Sequence, residues 1–379
     1  MFERLRPLLI RSETYRLEGK LRFSGSDFST VVVGSTVNVE YFSKLFYIDE
    51  PKVKFLGKLS FNKVASSLGA AKADLTIVAT SWLFSRFLGD NGFFVSPRVD
   101  FVLDITGSFE KIQNRVSEGK RRNLRKVAKA NYTFEVTKDL SKLESFYYDM
   151  YLPHMLKRYS GSALPISFSG LKELFLKGEL LLIKLGEECI SANLLVPHGS
   201  ELWEPILAVK DVDKQFTLGS YAVYYFSIFV GIQRGFERMD FGETPPFMQD
   251  GLFQFKRGLG MWVRPAMGSN AQVFGLRFSI LDKVARHFLS DNPFVFLDDG
   301  GLNGLVFLES VDALSVKPFC VSGLASLYVV SSCVDVSGLE GFKFEKLGVE
   351  DCLGYDVSFS RFLSMVCAED KYSLYRIKW

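Results

Sequence analysis

Residues 240–260 read DFGETPPFMQDGLFQFKRGLG, and the residues leading into them, ELWEPILAVKDVDKQFTLGSYAVYYFSIFVGIQRGFERM over 201–239, decide the fold. The pattern is a strand over 202–209, a polar loop over 211–217, an apolar helix from Gly219-Ser220 to about 234, and a second strand over 238–242. Gly235 supplies the helix stop. A helix N-terminus after a strand leaves backbone amides without partners, so an anion can dock there. Asp240 and Glu243 are carried toward the same end of the sheet.

Outward from this stretch, the chain has 379 residues, 47% of them hydrophobic, enough for two or three domains with substantial cores. Lys and Arg total 46 against 43 for Asp and Glu, a balance too even to imply a nucleic-acid or membrane partner. Five cysteines, Cys189, Cys320, Cys333, Cys352 and Cys367, form no CxxC pair and have no nearby histidine. Neither a zinc site nor a disulfide framework is suggested, and no metal is expected; the thiols read as reduced core residues. The opening MFERLRPLLIRSE is charged and lacks a small-residue cleavage site. The longest apolar run, 221–232, falls well below the ~20 residues of a bilayer span, so a cytoplasmic protein is expected.

The fold class is α/β. Residues 1–107 alternate short β-like runs with helical stretches such as 62–71 and read as an N-terminal lobe. A polar helix is expected from Ser108 to about 130, followed by a strand over 132–136 and a helix opened by a Ser141-x-x-Glu144 capping box. Strands over 180–185, 189–196 and 202–209 form a meander; Ile190, Ala192, Leu194 and Val196 share one face, as antiparallel pairing requires. Residues 108–270 read as one domain, and 271–379, with a helix over 280–289 and short strands between glycine turns, as a small C-terminal α/β appendage.

Strand, helices, antiparallel meander and then β-loop-α-β is the order of the GNAT acyltransferase fold, which the stretch from about 108 to 263 resembles. RRNLRK over 121–126 and the closing DGLFQFKRGLG are similar to the FemAB-like branch of that superfamily. The resemblance implies tandem GNAT-like lobes, with 1–107 as a degenerate first lobe. It implies acyl transfer to an amine on a small or sugar-linked acceptor, with acyl-CoA as co-substrate. One departure bears on the donor. The superfamily's pyrophosphate loop, Gln/Arg-x-x-Gly-x-Gly/Ala, corresponds here to Gln215, Phe216, Thr217, Leu218, Gly219 and Ser220, so leucine stands where the first glycine belongs. An aminoacyl-tRNA donor, as used by Fem ligases, does not need that loop.

Acyl transfer to an amine requires a base, a stabiliser for the carbonyl oxygen, and two substrates held together. Glu204 is the candidate base, since Pro205 beside it removes a ladder donor and suggests a bulge where the sheet opens. A salt-bridged strand acid is the alternative. Lys256 in FQFKRGLG matches the Fem lysine near the transferred group and would act electrostatically, or is a surface lysine on a loop. Asp240 and Glu243 are the neighbouring acids. Gln215, Thr217, Leu218, Gly219 and Ser220 would hold the donor. On the acceptor side, His154 and Arg158 share a helix face, with Tyr159 beside them. The run KRRNLRKVAK over 120–129 carries six cations and no acid; Arg121, Arg122 and Arg125 could fork a phosphate of the acceptor or of tRNA, or line a solvated face. A non-catalytic module binding a phosphosugar or a nucleic acid is the remaining reading.

Overall fold

The structure is a computed structural model that describes residues 11–60, 73–80, 93–159, 165–210, 218–266, 273–279, 282–298, 301–335, 342–347, 366 and 372–379. The expected helix over 62–71, the loop residues Gln215 and Thr217, Cys352 and Cys367, and the side chains of Arg158 and Tyr159 lie outside the described residues. The chain divides into two compact units, one of Asp100–Thr244 with Phe255–Val263, the other of Met1–Val99, Pro245–Gln254 and Arg264–Trp379.

The first unit is built on an eight-stranded mixed sheet. Its order is Trp262–Pro265, Val99–Asp104, Arg238–Thr244, Glu201–Trp203, Glu188–His198, Glu179–Leu185 and Tyr132–Thr137, with Leu207–Val209 also paired to Glu188–His198. The meander is antiparallel throughout, and Glu201–Trp203 runs parallel to Arg238–Thr244 with Leu202 opposite Met239. The alternation read in 190–196 is present from Ala192 to Val196; Ile190 falls at a register shift, where Ile183 faces Ser191 and Lys184 faces Cys189, and Cys189 packs against the cluster in its place. Ala192, Leu194 and Val196 pack with Phe146, Tyr147, Met150, Leu171 and Phe175 in a buried cluster. The leucine, valine, phenylalanine and methionine side chains among them each contribute about 1.5–3 kcal/mol when fully buried. Ser191 and Asn193 alternate to the other face, beneath the helix Gly219–Gln233. That helix is apolar all round and buries Ala222, Val223, Tyr224, Ile228 and Val230.

Two local expectations change. The single helix expected from 108 to 130 is two, Phe109–Arg115 and Glu118–Lys129, because the backbone turns extended at Val116 and Ser117. The helix expected to open with a Ser141–Glu144 box is capped by Asp139, whose carboxylate accepts from the Ser141 amide at 2.9 Å. It continues through a π-helical segment, Phe146–Tyr151, into Leu152–Tyr159.

The second unit carries an eleven-stranded sheet. In place of separate lobes at 1–107 and 271–379, both ends of the chain share this sheet: Val273–Phe278 pairs with Leu75–Thr80 and Phe93–Val95, and Phe294–Asp298 follows in the order. Its core is rich in phenylalanine, including Phe28, Phe42, Phe46, Phe274, Phe288 and Phe294. Short strands between glycine turns do not reveal which distant strand completes their hydrogen bonds, and the C-terminal residues find theirs on the N-terminal ones.

Candidate functional site

The strand expected over 202–209 is interrupted at the position of Pro205. Glu201–Trp203 stays with Arg238–Thr244, and the Glu204 amide makes the last link, donating to the Asp240 carbonyl at 2.8 Å. Among the described residues, Leu207–Val209 pairs only with Glu188–His198. The two parallel strands therefore part at Glu204, in line with the missing donor of Pro205. On the other arm, Gly242 turns through φ +74°, a conformation that a side chain disfavours.

Glu204 is 3% exposed. Asn193 Nδ2 donates to its Oε1, and Ser227 Oγ lies 2.7 Å from the same oxygen. Burial pushes the carboxyl up to about 8, opposed by the Ser227 hydrogen bond, the charge of Lys256 and the Asn193 amide, and reinforced by Asp240. A carboxyl so placed exchanges a proton close to neutral pH, as a general base must. Neither Asn193 nor Ser227 stands out in the sequence reading. Their signal is a polar residue where the surroundings are apolar: Ser227 within YAVYYFSIFVGI, and Asn193 on the face opposite Ala192 and Leu194.

Lys256 is not on a loop. It lies on the helix Gly251–Gly258, is 3% exposed, and donates to three successive carbonyls, Phe241 at 2.7 Å, Gly242 at 3.0 Å and Glu243 at 3.3 Å. The left-handed turn at Gly242 accompanies the convergence of these carbonyls. Lys256 therefore clamps the end of one arm of the splay while its charge acts on Glu204. Asp240 is buried, and its Oδ1 accepts from the Gly242 amide at 2.8 Å; the Glu243 side chain is exposed.

The remaining candidates separate. At the helix start, Leu218 is the N-cap residue, no side chain among the described residues caps the first turn, and Gly219 is buried beside a half-buried Ser220. His154 Nδ1 lies 3.1 Å from the Val209 carbonyl, which brings the Leu152–Tyr159 helix against the Leu207–Val209 arm. Arg121 is a structural residue: its guanidinium donates to the carbonyls of Asn114 at 3.2 Å and Val116 at 2.9 Å, closing the preceding helix. Arg122 and Arg125 are exposed, and Arg122 pairs loosely with Glu118 at 3.7 Å. Among the described residues, no group of three or more His, Cys, Asp or Glu side chains could hold a metal ion, and no helix is long and apolar enough to cross a membrane.

By strand order and by the parting of its parallel pair, this unit is GNAT-like in fold. No protein-family model matches the sequence, and a search of curated proteins finds no match. Solved structures that resemble the chain include FemX, at 14% identity over 73% of this chain and 87% of that one, TM-score 0.40. Another is the L-PGS of Bacillus licheniformis, at 14% identity over 71% and 85%, TM-score 0.37. A third is a GCN5-related N-acetyltransferase from Kribbella flavida, at 10% identity over 66% and 81%, TM-score 0.27. At these identities and scores the likeness assigns no activity.

Proposed function

We propose that the chain is an acyltransferase that moves an acyl group from a phosphate-bearing donor to an amine, with Glu204 as general base. The observation that carries this reading is a buried carboxyl, raised to about 8, at the point where two parallel strands part. The acceptor arrives largely as an ammonium ion. Glu204 takes a proton from it, directly or through one water, and the nitrogen lone pair attacks the acyl carbonyl carbon. The new C–N bond forms, the bond to the leaving sulfur or oxygen breaks, and the leaving atom takes up the proton that the attacking nitrogen sheds as it becomes an amide. Asn193 and Ser227 hold the carboxyl in place, and Lys256 fixes the strand end that faces it. The start of the Gly219–Gln233 helix is the proposed donor site, with His154 bordering the acceptor side.

Acyl-CoA is the first donor to test and aminoacyl-tRNA the second, the latter favoured by Leu218 at the place of a loop glycine. A thermal-shift series with acetyl-CoA, longer acyl-CoAs and an aminoacylated RNA minihelix separates them, because a ligand of the native state raises the melting temperature by mass action. Hydrogen exchange should then slow at 218–221 with the donor that binds. Protection confined to other segments would remove this helix start from the donor site.

A further inference from the structure

In the second unit, a cavity of about 430 Å³ opens at the carboxyl ends of two adjacent parallel strands, Asp27–Val33 and Leu75–Thr80, where Val33 stands opposite Val78. That volume lies within the ~300–1,000 Å³ of small-molecule pockets. The chain leaves the first strand through Gly34 and Ser35, both on the cavity wall, and enters the helix Thr36–Phe46 with Ser35 as N-cap. Ligands of α/β sheets collect at such strand ends, and the first turn of a helix favours negative charge.

Asn38 lines the same cavity and is only 8% exposed. Its Oδ1 accepts from the Ser35 amide at 2.9 Å and from Ser35 Oγ at 3.0 Å. A backbone N–H can only donate, so the oxygen must face Ser35 and Nδ2 is turned away from it. Among the described residues Nδ2 meets no acceptor, and it is not sealed in the core. A donor on a buried side chain therefore faces the cavity without a partner. Gly34 permits this arrangement, because a Cβ there would fall 2.6 Å from Asn38 Oδ1 and 3.0 Å from Ala79 Cβ.

Strands Arg11–Lys20 and Lys52–Ser60 add Ser12, Glu13 and Lys58 to the wall. Tyr15 stands opposite Phe55 and Glu13 opposite Lys58, so the second strand carries one extra residue, a bulge that sets Lys58 across from Glu13. Lys58 Nζ lies 3.4 Å from Glu13 Oε1, and Tyr15 OH donates to Glu13 Oε2 at 2.8 Å. Both oxygens of this carboxylate are thus engaged, while the exposed ammonium, with three N–H groups, keeps donors for a ligand.

We propose that this cavity binds the phosphate of a small phosphomonoester, held by Asn38 Nδ2, Lys58 Nζ and the first turn of the Thr36–Phe46 helix. Three terminal oxygens and nearly two negative charges suit a phosphate to several separate donors, where a carboxylate offers two oxygens and one charge. The cavity leaves room for the group that the phosphate esterifies. All of these residues lie in the second unit and none at Glu204, so the proposal does not rest on the acyl-transfer reading.

The test is calorimetric titration of the full chain with inorganic phosphate, a hexose phosphate, a nucleoside monophosphate, the unphosphorylated hexose and nucleoside, and a hexuronate as the carboxylate control. Asn38→Asp keeps the acceptor for Ser35 and replaces the free donor with an anionic oxygen; it should lose phosphate affinity by about 10-fold or more. Lys58→Gln should lose about 3- to 10-fold with a weaker salt dependence, and Glu13→Gln should gain about 2- to 5-fold as a like charge is removed. Lys54→Gln, an exposed cation of the same strand, should bind as wild type does. Tighter binding of the hexose phosphate or of the nucleotide than of phosphate itself identifies the group that fills the rest of the cavity, and equal binding of all three identifies a site for the oxyanion alone; each upholds the phosphate site. Binding of the hexuronate or of an unphosphorylated compound as tight as that of its phosphate overturns the proposal, as do the absence of binding by every phosphate and wild-type affinity in Asn38→Asp with an unchanged melting temperature. Should Asn38→Asp not fold, unchanged affinity in both Lys58→Gln and Glu13→Gln overturns it equally.

Discussion

Ser227 Oγ stands 2.7 Å from Glu204 Oε1 and 2.7 Å from the carbonyl of Val223, one helical turn earlier. A hydroxyl has one proton and two lone pairs, so it serves either state of the carboxyl. When Glu204 is ionised, Ser227 donates to it. When Glu204 is protonated, Ser227 donates to Val223 and accepts from the acid.

Ser227→Ala removes a donor that lowers the Glu204 pKa, so the carboxyl should titrate above its wild-type value of about 8. The acidic limb of the rate profile should move to higher pH, with turnover at pH 7 about 10-fold lower and substrate affinity nearly unchanged. A steady-state pH series checks this.

The same shift links pH to stability. Glu204 binds its proton more tightly folded, at about 8, than unfolded, near 4.5, so its contribution is fully present below about 4.5 and is lost as pH rises through 8. Glu204→Gln keeps the shape and cannot ionise. Its melting temperature relative to wild type should rise between pH 6 and pH 9, read by calorimetry at each pH.

Lys256→Met leaves the carbonyls of Phe241, Gly242 and Glu243 without their buried donor. A loss of about 3 kcal/mol in unfolding free energy is expected, together with a rise in the Glu204 pKa, since a lowering charge is gone. A lysine acting only on the transition state would change turnover and leave denaturant midpoints at their wild-type values, which separates the two roles.

Arg121→Gln should cost about 1–3 kcal/mol, because it removes donors to Asn114 and Val116. Arg122→Gln and Arg125→Gln should lie within about 0.5 kcal/mol of wild type, being solvent-facing. Urea titrations of the three variants distinguish the structural arginine from its neighbours.

Much of the lobe around the splay was legible in the sequence, because its signals are local. Alternation in 192–196, Pro205 in a strand, and Gly219-Ser220 before an apolar run each fix their own neighbourhood, whereas the register shift at Ile190 carries no local signal. The role of Lys256 was not legible, since its three acceptors lie 13 to 15 residues away and converge only once Gly242 adopts a left-handed turn. Arg121, Arg122 and Arg125 look alike in a cationic run, and only the break at Val116 turns the first of them inward. The eleven-stranded sheet joins Val273–Phe278 to Leu75–Thr80 across nearly 200 residues, a pairing that no periodicity encodes.

The central claim is that Glu204 is the base for acyl transfer to an amine. The direct measurement is the pH dependence of amine-dependent release of free CoA from an acyl-CoA, or of free tRNA from an aminoacylated minihelix, for wild type and Glu204→Gln. Wild type should rise to a plateau with a midpoint near pH 8, and Glu204→Gln should be at least ~100-fold slower, with binding of the donor intact. A folded Glu204→Gln variant with the wild-type rate and the same midpoint would contradict the account.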